Sequence, residues 1–142
     1  MNRAGILGGG AWGTALAILA NRAGSQVSFG TRNPNVIQAI QDHRVNDVYL
    51  PSVFMDPGIA VSDKATDICG GDILIIAVPS NVVRSICIGV SDALPTSTPV
   101  VIASKGVERG SLMLMSEVVK AILPHNPVAV ISGPNFADEA AR

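Results

Sequence analysis

The residues best suited to chemistry are the glycines of Gly8-Gly9-Gly10-Ala11-Trp12-Gly13, a G-x-G-x-x-G set between an apolar segment and an Ala/Leu-rich one. In a strand–turn–helix setting, Gly8 permits a tight turn, Gly10 lets a diphosphate approach the backbone, and Gly13 allows close packing of helix on strand. Free N–H groups at the helix start, reinforced by its macrodipole, would hold the phosphates. The bland alternative is a glycine-rich turn with no ligand. About 20 residues past such a loop, a carboxylate would be needed to bind an adenine ribose as a diol. This chain has Gly30-Thr31-Arg32-Asn33 at the end of the second apolar run, with no acid. Arg32 can pair bidentately with a 2′-phosphate, which favours NADP(H); NAD(H) stays possible because Arg can also stack on adenine.

Three further strand ends carry suggestive groups. Val78-Pro79-Ser80 would set a rigid turn beside the cofactor. Ser104-Lys105-Gly106 places a cation after an aliphatic run, either as a contact to a phosphate or reacting oxygen or as an exposed loop lysine. Ser132-Gly133-Pro134-Asn135 opens a helix and offers another anion-binding N-terminus. Cys69 and Cys87 are too far apart for a CxxC pair and have no His or Cys cluster around them, so they read as reduced packing residues; no metal site is expected.

These groups need a scaffold, and the pattern alternates strand and helix throughout. Strands are expected at 5–8, 26–29, 59–62, 72–78, 100–104 and 128–131. Helices are expected at 11–23, 34–42, 63–69, 81–91 and 111–123, the last carrying Leu112, Met115, Val118 and Val119 on one side. Gly24 stops the first helix and Pro34 begins the second, while residues 43–58 read as irregular. Six strands with helical crossovers imply an α/β fold, a doubly wound parallel sheet of Rossmann type in the order 3-2-1-4-5-6.

Composition agrees. The 142 residues suit a single domain; 48% are apolar but only 4% aromatic, as expected for aliphatic strands buried on both faces. The net charge of −1 leaves no electrostatic footprint for nucleic acid or an anionic membrane. Mean hydropathy is +0.41, yet charges or turn residues break every apolar run before the ~18 residues of a membrane span. The N-terminus enters a strand with no signal-peptide layout. Asp138-Glu139-Ala140-Ala141-Arg142 ends inside a helix just begun, so a fragment of a longer protein is expected.

GGGAWGTALA (8–17), NDVYLP (46–51), AVPS (77–80), SKGVE (104–108) and ISGPNFADE (131–139) together resemble bacterial NAD(P)-dependent glycerol-3-phosphate dehydrogenase, in order and across the whole chain. The resemblance implies a cytoplasmic enzyme interconverting dihydroxyacetone phosphate and sn-glycerol 3-phosphate for phospholipid synthesis, homodimeric at full length. It places cofactor contacts on Ala11, Trp12, Arg32, Asn33, Tyr49 and Ala137, with Lys105 touching both cofactor and substrate, and Gly133 and Asn135 binding substrate. Trp12 could equally be a packing residue, and for Tyr49 packing is the favoured reading. Ala11 replaces a frequent Ser and Asn33 a frequent basic residue, which would weaken side-chain contacts there; Asn135 stands where Ser or Thr is common. The resemblance also implies that residues 1–142 form the dinucleotide-binding domain alone. The proton-transferring lysine would lie in a helical domain beyond residue 142, leaving this chain without turnover. Two competing readings are another hydride-transfer enzyme, such as a ketopantoate-reductase or nucleotide-sugar dehydrogenase relative, and a non-catalytic nucleotide-sensing module with Lys105 on its surface.

Overall fold

The structure, a computed structural model, describes residues 3–134 and 136–142. Six parallel strands form the main sheet: β1 (Arg3–Leu7), β2 (Gln26–Gly30), β5 (Ala60–Ser62), β6 (Ile73–Ile76), β7 (Val100–Ile102) and β8 (Val128–Val130). Their spatial order is β5-β2-β1-β6-β7-β8, which is 3-2-1-4-5-6 when only these strands are counted, as expected. β1 pairs with β2 on one side and β6 on the other, Ile6 facing Phe29 and Ile75. The order reverses between β1 and β6, where such sheets open a crevice at their carboxyl ends.

Alternation along the strands sends neighbouring residues to opposite faces. Ile6, Phe29, Ile75 and Val101 join one buried cluster; Leu7, Leu74, Ile76 and Ile102 join the other. The first is covered by α1 (Ala11–Arg22) and α2 (Pro34–His43), the second by α3 (Val83–Val90) and α4 (Met115–Ile122). Burial on both faces explains why the strands read as unbroken aliphatic runs. Cys87 and Cys69 lie in the second cluster, buried and not in a disulfide; burial pushes the Cys87 thiol up to about 11, so it stays neutral.

Four sequence expectations are corrected. Residues 43–58 are not irregular: β3 (Val45–Asn46) and β4 (Leu50–Phe54) form an antiparallel hairpin inserted after α2. Arg44 caps α2 with φ 60°, and its guanidinium reaches the carbonyls of Met55, Asp56 and Ile59, the last at 2.9 Å, tying the hairpin base. The helix expected at 63–69 is one 3-10 turn, Ala65–Asp67. The strand expected at 72–78 is shorter, Ile73–Ile76, although Ala77 N–H still donates to Leu7 O at 2.7 Å.

The fourth concerns the helix expected at 111–123. α4 begins at Met115, because the Glu117 carboxylate accepts the Leu114 N–H at 2.8 Å and closes the helix start there. Leu112 has φ 59° and is 75% exposed, so it is no part of the apolar face on which Met115, Val118 and Val119 are buried. A short helix, α5 (Ala137–Ala141), closes the described chain and buries Ala141 against the first cluster. No helix among the described residues is long and apolar enough to cross a membrane, and no group of three or more potential metal ligands occurs among them.

Candidate functional site

A groove of about 660 Å³ opens where the strands end, with Leu7, Gly30, Ala77 and Ala103 on its floor. Gly8 leaves β1 at φ 139°, and a Cβ there would sit 2.4 Å from the Ala77 carbonyl. Both facts restrict the position to glycine. A Cβ on Gly13 would sit 1.9 Å from the Gly8 carbonyl, so α1 packs directly on the turn. Gly9 is equally confined, its Cβ position 2.1 Å from Thr31 Oγ1, a restriction the motif's spacing does not announce.

Gly10 differs. Its backbone is extended at φ −75° and ψ 177°, and a Cβ there would meet nothing within 4 Å. Neither strain nor packing requires glycine at a position that faces the open groove. It also gives α1 no side-chain cap, and the N–H groups of Ala11 and Trp12 find no acceptor among the described residues. Free helix-start amides beside space that a side chain would fill form a cradle for an anion.

Eight of the twelve residues expected to contact cofactor or substrate line this groove: Gly8, Gly10, Ala11, Trp12, Arg32, Asn33, Tyr49 and Lys105. Arg32 is exposed and makes no hydrogen bond or ion pair with another described residue. Asn33 has a second task as the N-cap of α2, its Oδ1 accepting the Asn35 N–H at 3.0 Å. Trp12 leans on the first apolar cluster, with its indole N–H buried and unpaired. Tyr49 is 47% exposed on the groove wall, so packing does not account for it. Gly13, Gly133 and Ala137 do not line the groove; Gly13 lies beneath the loop and Ala137 is half-buried against the first cluster. Asn135 lies outside the described residues.

Lys105 follows β7, and Gly106 turns the chain with φ 106°. The Lys105 Nζ donates to the Gly133 carbonyl at 3.4 Å, linking the ends of β7 and β8. Its loop is held from below by a group the sequence reading left without a role. Glu108 takes a bidentate pair from Arg84 of α3, at 2.7 and 2.8 Å, and a hydrogen bond from Ser111 Oγ at 2.6 Å. Glu108 N–H donates to Met113 O and its carbonyl accepts from Leu112 N–H, closing a compact turn.

The Arg84 hydrogen bonds, and then that of Ser111, hold the Glu108 carboxyl down at about 2. A depressed carboxylate contributes stability above its unfolded-state value near 4.5, and loses it as pH falls toward 2. The unfolding midpoints of wild type and Glu108→Gln should therefore differ by a constant gap above about pH 5 and converge between roughly 4.5 and 2. Chemical denaturation across that range checks it; a gap independent of pH would contradict the pairing.

Asp63 and Ala65, after β5, also face the groove and were not anticipated. The carboxylate that sequence spacing sought near Arg32 is instead offered at this groove after the neighbouring strand, and no local pattern signals it.

Strand order, crevice and glycine loop define a doubly wound domain of Rossmann type. Within that class the chain belongs to the family described as NAD-dependent glycerol-3-phosphate dehydrogenase N-terminus, whose model matches residues 3–142. It is 44% identical over 141 residues to a glycerol-3-phosphate dehydrogenase [NAD(P)+] of Caulobacter vibrioides, covering 99% of this chain and 42% of that protein. The chain thus spans about two-fifths of the length of that curated relative. The crystal structure of glycerol-3-phosphate dehydrogenase from Coxiella burnetii superposes with a TM-score of 0.91 at 31% identity, over 99% of this chain and 43% of that one. A ketopantoate reductase from Ralstonia eutropha shares the fold with a TM-score of 0.71 at 23% identity, over 92% of this chain and 40% of that one. The fold alone is therefore common to both enzymes, and the family match separates them.

Proposed function

We propose that this chain is the cofactor-binding part of an NAD(P)-dependent enzyme that interconverts dihydroxyacetone phosphate and sn-glycerol 3-phosphate in the cytoplasm, for phospholipid synthesis. The observation that carries the cofactor reading is the start of α1, where the Ala11 and Trp12 N–H groups have no acceptor among the described residues and the Gly10 Cβ position opens on empty space. A bound nicotinamide cofactor supplies or accepts the hydride. The chain's own residues bind and orient: loop amides take the diphosphate, Arg32 the adenosine end, and Tyr49 the wall between. Lys105, at the opposite end of the groove, orients the phosphorylated substrate and stabilises negative charge on its reacting oxygen. Its contact with Gly133 sets the ammonium between two strand ends. We infer that the group handling the hydroxyl proton lies beyond residue 142, so these residues bind cofactor but do not turn over.

Unpaired Arg32 supports a preference for NADP(H), while Asp63 opposes a 2′-phosphate and keeps NAD(H) in play. Arg32→Ala should weaken NADPH by roughly tenfold, the worth of one charge-assisted contact of about 1.5 kcal/mol, and NADH by much less. Titration of both cofactors reads the difference; equal losses would remove Arg32 from the selectivity. The reaction itself is tested by offering dihydroxyacetone phosphate and each reduced cofactor to the full-length gene product. Oxidation of neither would overturn the assignment.

A further inference from the structure

The glycine loop is held from behind by a residue of the inserted hairpin. Asn46 of β3 is completely buried, an unusual place for an amide unless its hydrogen bonds are specific. Its Nδ2 donates to the Gly9 carbonyl at 2.9 Å and to Thr14 Oγ1 at 2.8 Å. Its Oδ1 accepts the Tyr49 N–H at 3.2 Å. These partners fix the orientation of the amide, since a carbonyl can only accept and an N–H can only donate. Thr14 is also fully buried and passes the link on, its hydroxyl donating to the Gly10 carbonyl at 2.9 Å while its N–H donates to the same oxygen at 3.0 Å.

Asn46 thereby ties the Gly9 carbonyl inward, while the Gly10 carbonyl accepts the Thr14 N–H as the first bond of α1 and the Thr14 hydroxyl as a second. A carbonyl facing a diphosphate would repel it, whereas N–H groups attract it. We propose that Asn46, relayed by Thr14, is a positioning residue for the dinucleotide site: it locks the glycine loop with its carbonyls inward and its amides outward, and couples that state to Tyr49 on the groove wall. This rests on the cofactor reading given above. It also gives the hairpin a task, since the loop cannot supply these donors from its own glycines.

Asn46→Asp keeps the size and the acceptor for Tyr49 but turns a carboxylate oxygen on the Gly9 carbonyl. Thr14→Val keeps the shape and removes the relay. In the 142-residue chain, calorimetric titration should show NADH and ADP binding at least tenfold weaker in both variants. Adenosine, which has no diphosphate and is followed by NMR shifts, should bind within twofold of wild type. A merely structural role would lower the folded fraction and weaken all three ligands by one factor. That proportional loss, or NADH affinity within twofold of wild type in either folded variant, overturns the proposal; if Asn46→Asp does not fold, Thr14→Val alone decides it. Wild-type chain that binds neither NADH nor NADPH would sink the cofactor reading itself, a result distinct from variants that bind as wild type does.

Discussion

Gly10→Val is expected to abolish useful cofactor binding without destabilising the protein. The backbone at φ −75° and ψ 177° is one that valine adopts readily, and the new side chain meets no protein atom. Stability should change little, because valine restricts the unfolded chain more than glycine does but is a poorer helix N-cap. The methyl groups would occupy the space in which a diphosphate approaches the Ala11 and Trp12 amides. Losing two charge-assisted hydrogen bonds at about 1.5–3 kcal/mol each weakens binding by on the order of 100-fold to 10,000-fold. Thermal unfolding and titration of NADH on the same sample check both halves. A variant that melts as wild type does and still binds within a few-fold would show that the groove takes its ligand elsewhere.

Gly13→Ala should fail the opposite way. Alanine in a helix interior is normally favoured over glycine by about 1 kcal/mol. Here its Cβ would fall 1.9 Å from the Gly8 carbonyl and 2.9 Å from the carbon that bears it, backbone atoms that cannot rotate aside. Relief requires α1 to lift from the turn, and overpacking of this kind costs about 1–3 kcal/mol or more. We expect a melting temperature several degrees lower and weaker NADH binding as the loop amides shift with the helix. A variant as stable as wild type would mean that helix and turn are less firmly packed than their separation indicates. The two substitutions separate functions that the motif merges: one glycine makes room for the ligand, the other for the fold.

The glycine loop was legible because its requirements are local. Gly8, Gly10 and Gly13 sit at fixed spacing across one turn, and the flanking run Gly5–Leu7 is a strand wherever its face is buried. Arg32 was legible for the same reason, following β2 by two residues. Asn46 was not. Its partners lie 37 and 32 residues away, and no periodicity marks an amide that will face a loop in another part of the chain. The bond from Arg84 to Glu108 spans 24 residues and was hidden likewise, although Glu108 belongs to the segment that carried the family resemblance. Leu112 misled because apolar spacing suits a helix, while the Glu108 turn and the Glu117 cap start that helix at Met115, four residues later than expected.

The order of the six main-sheet strands, the both-faced burial of that sheet and the place of its crevice were set by the sequence alone. Aliphatic runs and crossover handedness leave few other arrangements. Tertiary structure decided which backbone groups face that crevice. A loop of consecutive glycines has no side chains with which to choose its own orientation, so the choice falls to hydrogen bonds from a hairpin distant in the chain.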